Sequence, residues 1–302
     1  MSEPKLFGWA GPELAKEQFD VFSSRGEINT FAIKSQSVST AGKKMELWKF
    51  TKQVYGGHIV MSAQLDDDCT ANGAANATNY LQCTEIVVNK DKQVFKPANR
   101  PFIYGASRVL IGGGRLGRQG GSLGIWTAKA CKEIGVLPND IPGLPRYSKQ
   151  ILQDWGFNGP PDQYVKAAAP FRINTYAIVR SYEDIRDAIV NGYPVTIASN
   201  RGFNMQPIKR NGKMFGVPNG IWNHQMMVPA IDDTDGSGYI LNSWGPDAHG
   251  KPLNDEPPGG FWVDAEVLDY IASQGDSWAY SVFDGYPERV NELSRDDFDV
   301  FK

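Results

Sequence analysis

Cys69, His224 and Asn242 are, in chain order, a thiol, an imidazole and a carboxamide, the groups that thiolate-based acyl transfer needs. A cysteine at a helix start gains from the positive end of the helix dipole, and a neighbouring imidazolium brings its pKa from about 8.5 to as low as ~4. A side-chain amide oxygen accepting from the far ring nitrogen holds the imidazole in one orientation without drawing its proton away. The stretch "WNHQMMVPAIDDTDGSGYILNSWG" carries His224 at the head of an apolar run and Asn242 just beyond the next one.

The elements that must bring these groups together are legible in outline. "CTANGAANATNYLQC", rich in Ala, suits a helix packed so closely that only small side chains fit, with its N-terminus at or near Cys69. The Asp235-Gly236 pair predicts a hairpin turn between "HQMMVPAI" and "YILNSWG", which would set His224 and Asn242 on neighbouring strands. "FIYGASRVLIGGGRLGRQGGSLGIWTAKACKEIGVLP" reads as a short helix, a glycine-rich loop and a second helix ending at Gly135. In "SYEDIRDAIVNGYPVTIAS", Ser181 and Asp184 have capping-box spacing, and Pro194 opens a β-rich run. Residues 1–50 read as a polar extension or arm, with a helix in "GPELAKEQFDVF" where Pro12 takes the first turn. The proline- and glycine-dense residues 139–170 read as a crossing between two lobes.

Composition narrows the function. With 302 residues and 41% hydrophobic content, the chain can build one large domain or two closely packed lobes. A formal charge of -3 offers no concentrated basic surface, so neither nucleic acid nor an acidic membrane is expected as a partner. The first residues carry no basic-then-apolar export signal and no long apolar run occurs, which predicts a cytoplasmic location. Cys69, Cys83 and Cys131 form no C-x-x-C pair and are odd in number, against a disulfide framework or structural zinc. No metal or cofactor is expected.

Several segments together resemble the papain-like cysteine peptidases, in that family's order: Cys69 opening a helix, "QGGS" before a helix ending in "EIGV", "EDIRDAIVNGYPV" before a strand, "NHQM", and "YILNSWG". They span residues 60 to 285, and suggest a divergent bacterial or phage-like member. The resemblance implies an α+β, two-lobed fold: a helical lobe at residues 51–150 with the nucleophile, an antiparallel barrel-like lobe at 151–285 with His and Asn, and a cleft between them. Residues 286–302 would be a tail. It implies Cys69 as nucleophile, His224 as acid and base, Asn242 as its orienting partner and Trp244 as the cover of their hydrogen bond. Gln64 would donate to the developing oxyanion, and Gly120 and Gly121 would let a peptide backbone approach.

The sequence departs from the family in three places. Gln64 lies one residue closer to the cysteine than is usual there, Thr70 replaces the aromatic residue after the cysteine, and the bracing disulfides are absent. Asp66, Asp67 and Asp68 also place negative charge beside a thiol that must ionise, so at least two of them are expected to face solvent. "GGGRLG" lacks the strand–turn–helix setting of a dinucleotide site, "DDTDG" lacks a calcium loop's final Glu, and Asn76 sits in a sequon within the expected helix. His58 and His249 have no ligand-spaced neighbours and read as packing or surface residues. The expected activity is hydrolysis of peptide or protein substrates through a thioester. The competing expectation is a weak or inactive relative of the same fold serving in a larger protein assembly, such as a virus particle, contacted by its terminal arms. An amidase or acyltransferase would share the site.

Overall fold

The computed structural model describes residues 7–30, 40–90 and 94–281. Among them the chain forms, in order, α1 (Pro12–Ser24), β1 (Asn29–Thr30), β2 (Lys44–Glu46), α2 (Trp48–Tyr55), α3 (Cys69–Val88) and α4 (Arg100–Gly105), which runs on as a π-helical stretch, Ala106–Ile111. Next come α5 (Gly124–Glu133), α6 (Lys149–Asn158), α7 (Asp162–Ala168), β3 (Thr175–Ile178), α8 (Tyr182–Val190), β4 (Val195–Phe203), β5 (Ile208–Arg210) and β6 (Lys213–Phe215). The chain continues through β7 (Pro218–Asp232), β8 (Ser237–Leu241), β9 (Gly260–Asp264), α9 (Ala265–Ala272) and β10 (Trp278–Ser281). The expected tail at 286–302 lies outside the described residues.

The strands make one mixed sheet in the order β1-β3-β10-β4-β7-β8-β9-β6-β5, with β2 paired to β7. Most neighbours are antiparallel, while β1 with β3 and β6 with β9 are parallel. The architecture is the α+β one expected. The sheet, however, is not a closed barrel, because β1 and β5 end the path unpaired with each other.

The long helix α3 is the central packing element. Ala71, Ala74, Ala75 and Ala77 are fully buried, and a Cβ on Gly73 would stand 3.0 Å from the Gln225 side chain on β7. The small side chains therefore set how near the helix lies to the sheet, and so how near Cys69 lies to the strand of His224. The β7–β8 hairpin turns at Gly236, whose φ of 66° suits a residue without a Cβ. Ser181 caps α8 by accepting from the Asp184 N–H at 3.2 Å, while the Asp184 carboxylate accepts from Arg180 N–H rather than closing a reciprocal box.

One expectation is corrected here. The region read as a crossing contains α6 and α7, started by a Ser148 cap and by the Pro160-Pro161 pair, and together with α4 and α5 these helices enclose a separate apolar cluster around Phe102, Leu137 and Trp155. Of the residues read as an extension or arm, 7–30 and 40–50 are described, and they join the core and the sheet. Trp9, Phe22, Met45 and Leu47 are buried in the main core, and β1 and β2 are strands of the sheet. These anchors are too widely spaced to produce an apolar period, so a reading of periodicity passes over them.

Candidate active site

The structure brings Cys69, His224 and Asn242 to one place. Cys69 is the first residue of α3, fully buried, and its Sγ accepts the backbone N–H of Gln225 at 3.3 Å. That contact sets the thiol against the residue next to His224 on β7. His224 is 1% exposed, and its Nε2 lies 2.8 Å from Asn242 Oδ1. Its other nitrogen, Nδ1, is buried and makes no hydrogen bond among the described residues. Trp244 lies over the imidazole with ring centroids 4.9 Å apart, and also flanks Trp222 and His249.

Gln64 sits beside this group and is held from several sides. Its backbone N–H donates to Ser243 O at 2.7 Å, and its Oε1 accepts from Ser243 Oγ at 2.5 Å. Its Nε2 donates to Asp66 O and to Phe7 O, each at 2.9 Å. The next peptide is held as well. Leu65 N–H donates to Tyr147 Oη at 3.0 Å, and that hydroxyl donates to Asp68 Oδ2 at 2.8 Å. Arg100 lies 3.7 Å over the Tyr147 ring and donates to Ser62 O at 2.8 Å and to Asn72 Oδ1 at 2.7 Å. The loop that is one residue short is thus tied to the start of α3 by tertiary contacts.

The acidic run does not face solvent as expected. Asp68 is fully buried, while Asp66 and Asp67 are half-buried, with Asp66 accepting from Gln153 Nε2 at 2.9 Å. Burial pushes the Asp68 carboxyl up to about 6, against the lowering effect of its bonds from Tyr147 and Asn72 and of the Arg100 charge. The glycine pair divides its roles. A Cβ on Gly120 would stand 2.1 Å from the Asp67 carboxylate, so Asp67 packs into the space that this glycine leaves. A Cβ on Gly121 would meet Gly8 O at 2.8 Å.

The cleft is filled by the chain's own residues. Gly8 and Trp9 donate their backbone N–H groups to Asn223 O at 3.2 and 3.0 Å; Ser122 N–H donates to Gly8 O at 2.8 Å, and Ala10 N–H to Ser122 O at 2.9 Å. This is a parallel bridge between Trp9 and Ser122. The Phe7 ring stands edge-on to His224 and to Trp244, with centroids 6.0 Å away in each case. Trp9 Nε1 donates to Asp276 Oδ2 at 2.8 Å, and that buried carboxylate also accepts from the N–H groups of Gly124 and Ile125 and from Trp278 Nε1.

In this closed arrangement the ion pair expected from the sequence is not favoured. Desolvation pushes the Cys69 thiol far up, with the Gln225 N–H opposing it and the charges of Asp68 and Asp67 adding to it. Desolvation also lowers His224 to about 4, against the raising effect of Asn242. Burial thus works against both charges of the expected pair, the thiolate and the imidazolium. Sequence reasoning missed Phe7–Ala10, Tyr147 and His249, whose Nε2 lies 2.8 Å from Asn242 Nδ2. None carries a local signal, because each acts only through residues far away in the chain. His58 lies elsewhere, near Asp255. Asn76 of the sequon is 3% exposed inside α3.

No protein-family model matches the chain, and no curated protein matches it in sequence. Solved structures do match. Xylellain, a cysteine protease from Xylella fastidiosa, superimposes with a TM-score of 0.57 at 19% identity over 85% of this chain and 92% of its own. Procathepsin B S9 from Trypanosoma congolense gives 0.56 at 10% identity over 85% and 84%, and digestive procathepsin L 3 of Tenebrio molitor gives 0.50 at 12% over 88% and 79%. At such identities the likeness concerns backbone architecture, and on that evidence the chain has the papain-like cysteine protease fold.

Proposed function

We propose that the chain is a cysteine peptidase acting on peptide or protein substrates, with Cys69 as nucleophile, His224 as its acid and base, Asn242 as the orienting amide and Gln64 as an oxyanion donor. The observation that carries this reading is that the cleft already holds an extended polypeptide by its main chain. Asn223, Ser122 and Gln64 hydrogen-bond the backbone of residues 7–10 right beside His224. A surface that binds main-chain groups accepts many sequences, as a peptidase cleft must.

In this reading the Sγ proton passes to His224 Nδ1 as sulfur bonds to the substrate carbonyl carbon, and the carbonyl electrons move to oxygen. Gln64 Nε2, now bonded to Phe7 O, is the donor available to that oxygen once Phe7 has left. Collapse breaks the C–N bond, and the Nδ1 proton leaves with the amine. A water molecule then gives a proton to Nδ1 as its oxygen bonds to the thioester carbon; the C–S bond breaks, the acid leaves, and the Nδ1 proton returns to Sγ. Residues 7–10 must withdraw first, which also readmits water and removes the desolvation that works against both charges. The assembly reading has no observation of this kind in its favour.

The test is labelling by a peptidyl thiol-selective electrophile, on the full chain and on Trp9→Ala, which loosens the covering segment. Labelling confined to Cys69, faster in Trp9→Ala and lost in His224→Ala, is expected. Equal slow reaction at Cys69, Cys83 and Cys131 in every variant would overturn the reading.

A further inference from the structure

His249 belongs to none of the roles described above, yet it is 1% exposed and both of its ring nitrogens are engaged. Nδ1 lies 2.9 Å from Met205 O, and Nε2 lies 2.8 Å from Asn242 Nδ2. A carbonyl oxygen can only accept, so Nδ1 carries the proton. In the neutral ring Nε2 is then an acceptor, and only an NH2 group satisfies it. The amide nitrogen of Asn242 therefore faces His249 and its oxygen faces His224. The Ser243 N–H, donating to the same Oδ1 at 2.6 Å, agrees with that orientation.

The consequence reaches the base. Asn242 Oδ1 can only accept, so His224 Nε2 must carry the proton, and the lone pair is left on Nδ1, the nitrogen that makes no hydrogen bond among the described residues. We propose that His249 is a positioning residue for the reaction: acting through Asn242, it selects the His224 tautomer whose Nδ1 can accept the Cys69 proton. This rests on the peptidase reading above. The terminal torsion of an Asn is broad and nearly two-fold, so an amide held only by its own neighbour's N–H would swing. His249 supplies the second point that stops it. The Nε2 acceptor is enclosed, His249 being 1% exposed with Trp244 at 6.0 Å and the Phe261 ring edge-on at 4.8 Å.

The experiment uses the full chain with heavy-nitrogen-labelled histidine and reads imidazole tautomers by long-range proton–nitrogen correlation, alongside kcat and KM on a fluorogenic peptide. In the parent, His224 is expected as the Nε2–H form and His249 as the Nδ1–H form. In His249→Phe, His224 becomes a mixture of tautomers and kcat falls about tenfold, the rate equivalent of one buried hydrogen bond, with KM within about twofold. His249→Gln, whose oxygen can accept from Asn242, keeps the tautomer and most of the rate. Asn242→Ala costs little more in the His249→Phe background than His249→Phe alone.

An unchanged His224 tautomer and rate in His249→Phe would overturn the proposal while leaving the peptidase reading intact. Should that variant not fold, the parent spectrum decides, because His249 in the Nε2–H form is incompatible with the proposal. A parent and a Trp9→Ala chain that both lack Cys69-dependent hydrolysis sink the peptidase reading, and this role with it.

Discussion

The two halves of the site are built by different means. On the sheet, His224, Asn242, Ser243, Trp244 and His249 come from β7 and from the chain just after β8, within one hairpin and its following loop, and their hydrogen bonds close on one another. On the helical side, Cys69 and Gln64 are separated by a short loop of carboxylates. They are held by Tyr147, Arg100 and Gln153 from other parts of the chain, and covered by residues 7–10. The first half is local and polar contacts complete it. The second depends on distant segments, and it carries buried charge that works against thiol ionisation. The difference is one of origin: the contacts among the sheet-side groups lie largely within one hairpin and its loop, whereas the helical side is held and covered by segments far away in the chain.

The largest effect expected is on the sheet side. His224→Ala should lower kcat/KM by about 10²- to 10⁴-fold, the usual reach of a general acid–base group, with circular dichroism unchanged. A residual rate near that of the parent would mean that the sheet half is not the working half.

Trp9→Ala separates the halves in the opposite direction. It removes a buried indole and its bond to Asp276, so stability should fall by about 3 kcal/mol in denaturant unfolding, while Cys69 alkylation accelerates. Slower alkylation would show that the covering segment supports the thiol instead of shielding it.

Asp68→Asn sharpens the contrast through pH. Burial pushes the Asp68 carboxyl up to about 6 from its ordinary value near 3.8, so the folded protein binds the proton more tightly than the unfolded chain. Its stabilising share is complete below about pH 4 and is lost as pH rises through 6, because ionisation then costs burial of a charge. An Asn can keep the oxygen that accepts from Tyr147 and Asn72 and place its NH2 where Oδ1 makes no hydrogen bond. The stability of Asp68→Asn relative to the parent should therefore rise between pH 4 and 7, by at most about 3 kcal/mol. A flat difference across that range would show that the carboxylate is not desolvated.

The smallest effect is expected from Tyr147→Phe. Losing one hydroxyl that links Leu65 N–H to Asp68 should cost about 1 to 2 kcal/mol in stability. Ester or amide hydrolysis should fall more than alkylation by iodoacetamide, which needs no oxyanion donor. Parallel losses in both would place the hydroxyl's effect on the thiol and not on Gln64.

Where sequence reading succeeded, the signal was short-range. Cys69 opens α3, Ser181 caps α8 and Asp235-Gly236 turns the β7–β8 hairpin, each a choice among conformations made by neighbouring residues. Where it fell short, the cause lay in partners far along the chain. At least two of the three carboxylates read as solvated because such a run usually is, whereas Asp68 is buried with Tyr147, Asn72 and the Arg100 charge to support it. His249 read as an isolated histidine, since Met205 and Asn242 become its neighbours only when the loops around β9 close over the sheet. The packing of Asp67 against Gly120 is likewise invisible in the sequence, because it depends on how the loop before α3 folds back.

The order of thiol, imidazole and carboxamide, the helix under the thiol and the hairpin joining the other two were determined by the sequence itself, because helix caps, small-residue faces and turn residues act over a few positions. Tertiary structure alone decided how deeply those groups are buried and what lies within bonding distance of them. Ionisation and tautomer depend on how much water remains and on which donor or acceptor lies within about 3 Å, and both are set by segments that the chain brings from far away.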